Sequence, residues 1–149
     1  MRNGHMHTVN HWFAWALLSA VFAALTTVFA KVGVAEVDAD LATFIRTLVI
    51  VVLLGALVLA AGKWTNPLSL PPRTLGFLLL SALATGASWI CYFRALKAGD
   101  ASLVASVDKS SLLLVALFAV AFLGERPAPR QWIGFALVAA GVLTLGWRR

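Results

Sequence analysis

The sequence predicts an all-α membrane protein with five transmembrane helices, and three observations carry that prediction. First, 61% of its 149 residues are hydrophobic and only 12% are charged, with a mean hydropathy of +0.90. Soluble domains carry about 25% charged residues, and a chain this short cannot hide so many apolar side chains in one core. Second, five windows reach the length of about 20 apolar residues that a spanning helix needs: about 11–33, 41–62, 74–98, 101–123 and 130–147. Third, all five prolines fall in two connectors, NPLSLPPR (66–73) and RPAPR (126–130), and none interrupts a window. The domain organisation is then a tail over 1–10 and a single membrane domain over 11–147.

The first window contains Val28-Phe29-Ala30, which looks like a signal-peptide cleavage site. Its apolar stretch exceeds the usual core of about 7–15 residues, so the segment reads as a retained span. Ser19, Thr26 and Thr27 give it a thin polar stripe, and it ends at Lys31. The second span follows the acidic run Glu36, Asp38, Asp40 and carries Arg46, while its second half, IVVLLGALVLAA (50–61), has no polar side chain.

In the third span Ser81, Thr85, Ser88 and Tyr92 step by four, three and four, which aligns them on one helix face. Trp89 stands three positions before Tyr92 and flanks the same cleft. Gly99 reads as a helix stop and Asp100 as the N-cap of the next helix. The fourth span, expected as one helix over 101–123, adds Ser102, Ser106, Lys109 and Ser110 at similar spacing and closes at Gly124. The turn Glu125-Arg126 is expected to be held by capping and by an ion pair with Arg130. The fifth span opens at Gln131-Trp132 and ends at Trp147. Trp12, Trp15, Trp64 and Trp132 mark one membrane face and Trp147 the other, as aromatic belts do.

The charges at membrane depth are the most informative feature. Arg46, Arg94, Asp108 and Lys109 lie about 7–14 Å inside their helix ends at 1.5 Å rise per residue, all in the half of the bundle away from the N-terminus. An ionised group near the bilayer centre costs about 2.5–3.5 kcal/mol, so these groups are expected to face one another or a wet crevice. Neighbouring helix positions point about 100° apart, so Asp108 and Lys109 need separate partners. Arg46 and Arg94 are the candidates for Asp108, and Lys109 is left to a ligand or to the hydroxyls. Lys31, Lys97 and Arg94 are expected to snorkel to the headgroups.

Several functional classes find no foothold. The net charge of +6 comes from single cations between apolar runs, not from a stripe that tracks phosphates, so no nucleic-acid partner is expected. The one cysteine, Cys91, excludes an internal disulfide and a cysteine-based metal cluster, and reads as a small buried hydrophobe. His5, His7 and His11 crowd the N-terminal tail, and no histidine lies deeper in a span to serve Ser110 or Ser111 as a base. There is no Walker loop, HExxH or GxSxG. No enzyme activity, cofactor or metal is expected. The first span also has no Asp or Glu, unlike the four-span small multidrug antiporters.

Loop cations set the orientation. Arg2, Lys63, Arg73, Arg126 and Arg130 share the face of the N-terminus, against Lys31, Lys97, Arg148 and Arg149 opposite. This favours an N-terminus inside the cell, by a margin small enough to permit insertion both ways.

The segment over 92–145 resembles the EamA-type proteins of the drug/metabolite transporter superfamily. The matching pieces are Arg94-Ala95-Leu96 before Gly99-Asp100-Ala101-Ser102, then Leu123-Gly124-Glu125-Arg126, Gln131-Trp132-Ile133-Gly134 and Ala140-Gly141-Val142. Phe44-Ile45-Arg46 and the Lys31 end of the first span match more loosely. Where that family often has proline in the fourth span, this chain has Ala105-Ser106. Most members have about ten spans in two inverted five-span repeats. The resemblance implies that this chain is one such repeat in a prokaryotic cytoplasmic (inner) membrane, paired as an antiparallel homodimer or with a related half.

The functional expectation is a secondary transporter of small polar solutes, amino-acid-like or otherwise anionic or zwitterionic, working by alternating access. Its substrate-binding residues are expected to be Asp108, Lys109, Ser106, Ser110, Trp89, Tyr92, Ser88, Thr85, Arg46 and Arg94. The surplus of cations at depth points to the charge of the solute. The alternative is a non-transporting membrane subunit that stabilises or regulates a partner protein.

Overall fold

The computed structural model describes residues 6–147, with side chains from His11 onward. His5, His7, Arg2, Arg148 and Arg149, expected above as tail histidines and orienting cations, lie outside the described residues and side chains. Every regular element among the described residues is helical: α1 Met6–Gly33, α2 Ala39–Ala60, a 3-10 turn Pro67–Ser69, α3 Pro72–Ala98, α4 Ala101–Asp108, α5 Ser111–Phe122 and α6 Pro129–Gly146.

The ends of these helices follow from local chemistry. Asp38 caps α2, its Oδ1 accepting from the Asp40 and Leu41 N–H groups at 2.9 and 3.1 Å. At the other end Gly62 adopts φ 63°, Lys63 N–H reaches Val58 O and Gly62 N–H reaches Leu59 O, each at 3.0 Å. That is a Schellman ending, which favours glycine because the left-handed backbone crowds a Cβ. Pro72 and Pro129 begin α3 and α6, where a missing N–H costs nothing. Gln131 Oε1 accepts from Ala128 N–H at 2.6 Å, half of a capping box, since alanine has no acceptor to complete it.

Gly99 ends α3 by a different route from the one its sequence implies. Its φ of −129° and ψ of 171° are extended backbone. Glycine fits here because a Cβ would meet Val104 Cγ2 at 3.2 Å and Ala95 O at 3.4 Å. Asp100 occupies the N-cap position of α4 without a side-chain capping bond. Gly124, at φ 68°, takes the left-handed turn after α5, where Glu125 N–H bonds Ala119 O at 3.1 Å. The expected Glu125–Arg130 ion pair is absent among the described residues. The backbone bond already holds the turn.

The fourth hydrophobic window is two helices rather than one. Between Asp108 and Ser111 the ladder tightens into i→i+3 bonds: Lys109 N–H to Ser106 O, Ser110 N–H to Val107 O, Leu112 N–H to Lys109 O and Leu113 N–H to Ser110 O, at 2.9–3.2 Å. Serine competes for backbone partners and weakens a helix interior, and here two serines are adjacent. A mid-helix 3-10 stretch of this kind marks a place where a span can bend.

Among the described residues four segments are long and apolar enough to cross a membrane: His11–Gly33, Ala39–Ala60, Pro72–Ala98 and the broken Ala101–Phe122. The last helix, α6, has 18 residues and is about 27 Å long, just short of a hydrocarbon core of about 30 Å.

Packing concentrates at one end of the bundle. Val34, Ala39, Phe93 and Leu96 are buried together, joined by Thr43, whose hydroxyl donates to Ala39 O at 2.8 Å. Here α2 packs on α3, and α4 packs on α1, α3 and α6; beyond the break α5 packs chiefly on α6. Elsewhere the long apolar side chains, such as Phe22, Val52 and Leu83, point outward. That is the distribution of a multi-pass protein whose solvent is lipid, because hydrocarbon tails accept leucine as readily as another helix does.

The cations expected to snorkel instead tie the packed end together. Lys31 Nζ donates to Leu96 O at 2.6 Å and to Gly99 O at 2.8 Å. Lys97 Nζ donates to Val37 O at 2.6 Å. Arg94 pairs with Asp40. Carbonyls freed at the C-terminus of α3 and in the α1–α2 loop need donors, and these long side chains are within reach of them.

Candidate solute-binding site

A cavity of about 380 Å³ lies between the first four helices. Its floor on α1 is built of small side chains, Ala20, Ala23, Ala24, Thr26 and Thr27. Arg46 enters from α2; Ser88, Trp89 and Tyr92 from α3; Ala105 and Asp108 from α4, with Lys109 just beyond it. Three elements far apart in sequence thus bring Arg46, Ser88, Trp89, Tyr92, Asp108 and Lys109 to one hollow.

Arg46 is held by aromatic faces. Its guanidinium carbon lies 4.2 Å from the Trp89 ring centroid and 5.4 Å from that of Phe93. This cation–π contact fixes the group while leaving its five N–H donors for other partners. Asp108 ends α4 and Lys109 opens the break, where the backbone bonds tighten to i→i+3. They approach to 3.9 Å, with their side chains 43% and 64% exposed. The separation of partners expected for these two residues is therefore not observed. Asp108 pairs with neither Arg46 nor Arg94: the first is stacked on Trp89 and the second is engaged by Asp40.

The remaining site candidates are placed elsewhere. Thr85 donates to Ser81 O at 2.9 Å and Ser106 to Ser102 O at 2.7 Å, each returning its hydroxyl to its own helix. Neither lines the cavity, nor do Ser110 at the break or Arg94 at the packed end. Cys91, expected to be buried, is exposed. It borders a second cavity of about 460 Å³ on the far side of the α3–α4 seam, which shares Ser88, Tyr92 and Asp108 with the first.

Two features escaped sequence reasoning. Asp40 counted there as a loop acid, yet it begins α2 and takes Arg94. Thr27 lines the cavity and meets Tyr92 Oη at 2.7 Å. A signal existed for the second: Ala20, Ala23, Ala24 and Thr27 recur at i, i+3, i+4 and i+7, a face of small side chains that leaves room beside a neighbouring helix.

Comparison with known proteins agrees with this architecture. Residues 10–147 match the EamA-like transporter family. An uncharacterized transporter in the cobO 3′ region of Sinorhizobium sp is 58% identical over 134 residues, covering 90% of this chain and 95% of that protein. The uncharacterized transporter YwfM of Bacillus subtilis is 30% identical over 102 residues, 66% of this chain but 34% of the relative. The probable 4-amino-4-deoxy-L-arabinose-phosphoundecaprenol flippase subunit ArnE of Yersinia pestis is 28% identical over 89 residues, 59% of this chain and 78% of the relative. No solved structure matches. The chain, a multi-pass membrane protein of apolar helices around a charged hollow, belongs to the EamA-like transporter family.

Proposed function

We propose that this protein is a secondary carrier that moves small anionic or zwitterionic metabolites across the cytoplasmic (inner) membrane by alternating access. The observation that carries the reading is the hollow holding Arg46, Asp108 and Lys109. Lipid does not tolerate unpaired ions, and charges kept at depth in a shared cavity commonly mark a solute path. The cavity holds two cations and one anion, so an anionic group on the solute completes its charge.

The functional unit in this proposal is an antiparallel dimer of five-span protomers, α6 being the fifth span. One protomer offers Lys109 with most of its side chain uncovered, and a second copy would supply the missing wall. The packed end, tied by Lys31, Lys97 and Arg94, forms the closed side, and the break at Lys109–Ser110 lets α5 move against it.

A second reading has its own support, because one relative carries the word subunit in its name. In that reading the partner is a related half rather than a second copy, or a different protein that this chain stabilises without carrying solute itself. Uptake by proteoliposomes holding the purified chain alone separates the two. The carrier reading expects a panel of amino acids and small carboxylates to contain transported members, with uptake lost in Asp108→Asn and Arg46→Ala. No uptake of any member by the chain alone, restored by adding a co-expressed partner, would establish the heteromer instead.

A further inference from the structure

Thr27 and Tyr92 meet across α1 and α3, and a third group bears on the direction of their hydrogen bond. Thr27 Oγ1 lies 3.0 Å from the carbonyl oxygen of Ala23 and 2.7 Å from Tyr92 Oη. A carbonyl oxygen only accepts, and a threonine hydroxyl has one proton to give. Both contacts are hydrogen bonds only when that proton goes to Ala23 O. In that arrangement the Tyr92 hydroxyl donates to Thr27, and its own oxygen is left with lone pairs alone.

This matters because Tyr92 borders the charged cavity together with Asp108. An ionised carboxylate also only accepts. The α3–α4 side of the hollow thus offers two acceptors, Tyr92 Oη and the Asp108 carboxylate, while Arg46 and Lys109 offer only donors. A solute bearing nothing but anionic groups would meet the donors and leave the acceptors without partners, at a cost in desolvation.

We propose that Tyr92 and Asp108 form an ammonium-binding subsite, with Thr27 as the positioning residue that keeps the phenolic proton turned away from the cavity. The inference rests on the carrier reading above and narrows it. The solute carries a primary or secondary ammonium as well as an anionic group, the first held by Asp108 and Tyr92 and the second by Arg46 and Lys109. The Asp108–Lys109 contact, at 3.9 Å, is too long for a hydrogen bond. A solute ammonium that forms charge-assisted bonds at normal length takes its place.

The test uses matched solute pairs, each an amino acid and the 2-hydroxy acid of the same side chain, titrated into the purified full chain in lipid nanodiscs by calorimetry. In pairs that bind, the amino member is expected to bind about tenfold or more tightly, since a hydroxyl brings one proton to two acceptors and leaves one of them unpaired. Tyr92→Phe and Thr27→Val are each expected to erase most of that preference, lowering the affinity for the amino member more than that for the hydroxy acid. Thr27→Ser, which keeps both hydroxyl bonds, is expected to retain the preference, separating proton positioning from simple packing. Equal affinity within the pairs, or a preference untouched by Tyr92→Phe and Thr27→Val, would overturn the subsite and leave the carrier reading standing. Absence of binding by every member to a folded wild-type chain would overturn both.

Discussion

Arg94 grips Asp40 with both edges of its guanidinium, Nε to Oδ1 at 2.9 Å and Nη2 to Oδ2 at 2.6 Å, and so fastens the last turns of α3 to the first turn of α2. The geometry is the parallel two-bond fork that only arginine makes with a carboxylate. Both side chains are about half exposed, at 63% and 49%, so position rather than burial gives the pair its weight. Its two residues directly follow Ala39 and Phe93 of the buried cluster in the chain, at the end of the bundle that the Lys31 and Lys97 ties share.

Arg94→Lys is therefore expected to lower thermal stability in detergent nearly as much as Arg94→Ala, since lysine cannot form the fork. A double-mutant cycle with Asp40→Asn should show coupling between the two positions, weakening as salt is raised. Melting curves over a salt series check this, and additive effects at low salt would remove the pair from the list of stabilising contacts.

Lys31→Met keeps the length of the side chain and removes the donors that Leu96 O and Gly99 O use. Hydrogen bonds to charged groups contribute about 1.5–3 kcal/mol, so a loss near 2 kcal/mol is expected, with Lys31→Arg recovering part of it. Chemical unfolding in mixed micelles reads the difference.

How much of this was legible beforehand depends on the residue. The helices were visible because apolar runs of spanning length, closed by Pro and Gly, have few other solutions. The meeting of Arg46, Trp89, Tyr92, Asp108 and Lys109 was partly visible, because charges at equal depth have few places to go. Their partners were not. Arg94 could reach an acid at its own end of the bundle or one deeper in the membrane, and only the position of α2 decides for Asp40. The break at Lys109–Ser110 was hidden because Leu, Val and Phe continue on both sides of it and no Gly or Pro marks it. The Thr27–Tyr92 bond joins residues 65 positions apart, a pairing that no local pattern encodes.

Glycines at helix ends should separate by mechanism. Gly62→Ala and Gly124→Ala force a Cβ into the left-handed region, at φ 63° and 68°, for about 1–2 kcal/mol each. Gly99→Ala meets Val104 Cγ2 instead, and its cost should be relieved by Val104→Ala. No such rescue is available to Gly62, which has nothing within 4 Å of its missing Cβ. Unfolding of the three single variants and the Gly99→Ala/Val104→Ala double checks the distinction.

The crossing of α6 decides the number of spans. A helix of 18 residues reaches about 27 Å, enough to span with slight thinning of the bilayer. It carries Trp132 near one end and is followed by Trp147, aromatic anchors suited to the two interfaces. The two termini are then expected on opposite sides of the membrane. Paired reporter fusions at each end test this within single orientations, and termini on the same side would leave four spans.

The last expectation concerns why the fourth span breaks where it does. Two causes can produce the tight i→i+3 turns around Lys109 and Ser110: local competition by the serines for backbone partners, or a tertiary demand that α4 pack on α1 and α3 while α5 packs on α6. Ser110→Ala with Ser111→Ala removes the first cause and leaves the second. Alanine favours the helix over serine by roughly half a kcal/mol per site. If the serines dictate the break, amide hydrogen exchange over 109–113 should slow by about fivefold or more, as RT ln 5 is close to the summed propensity gain. Solute uptake should fall in step while the melting temperature holds or rises, because a continuous helix costs the span its bend. Exchange unchanged from wild type would assign the break to packing, and variants in the α4–α1 contact, such as Ala105→Leu, would then be the ones to shift it.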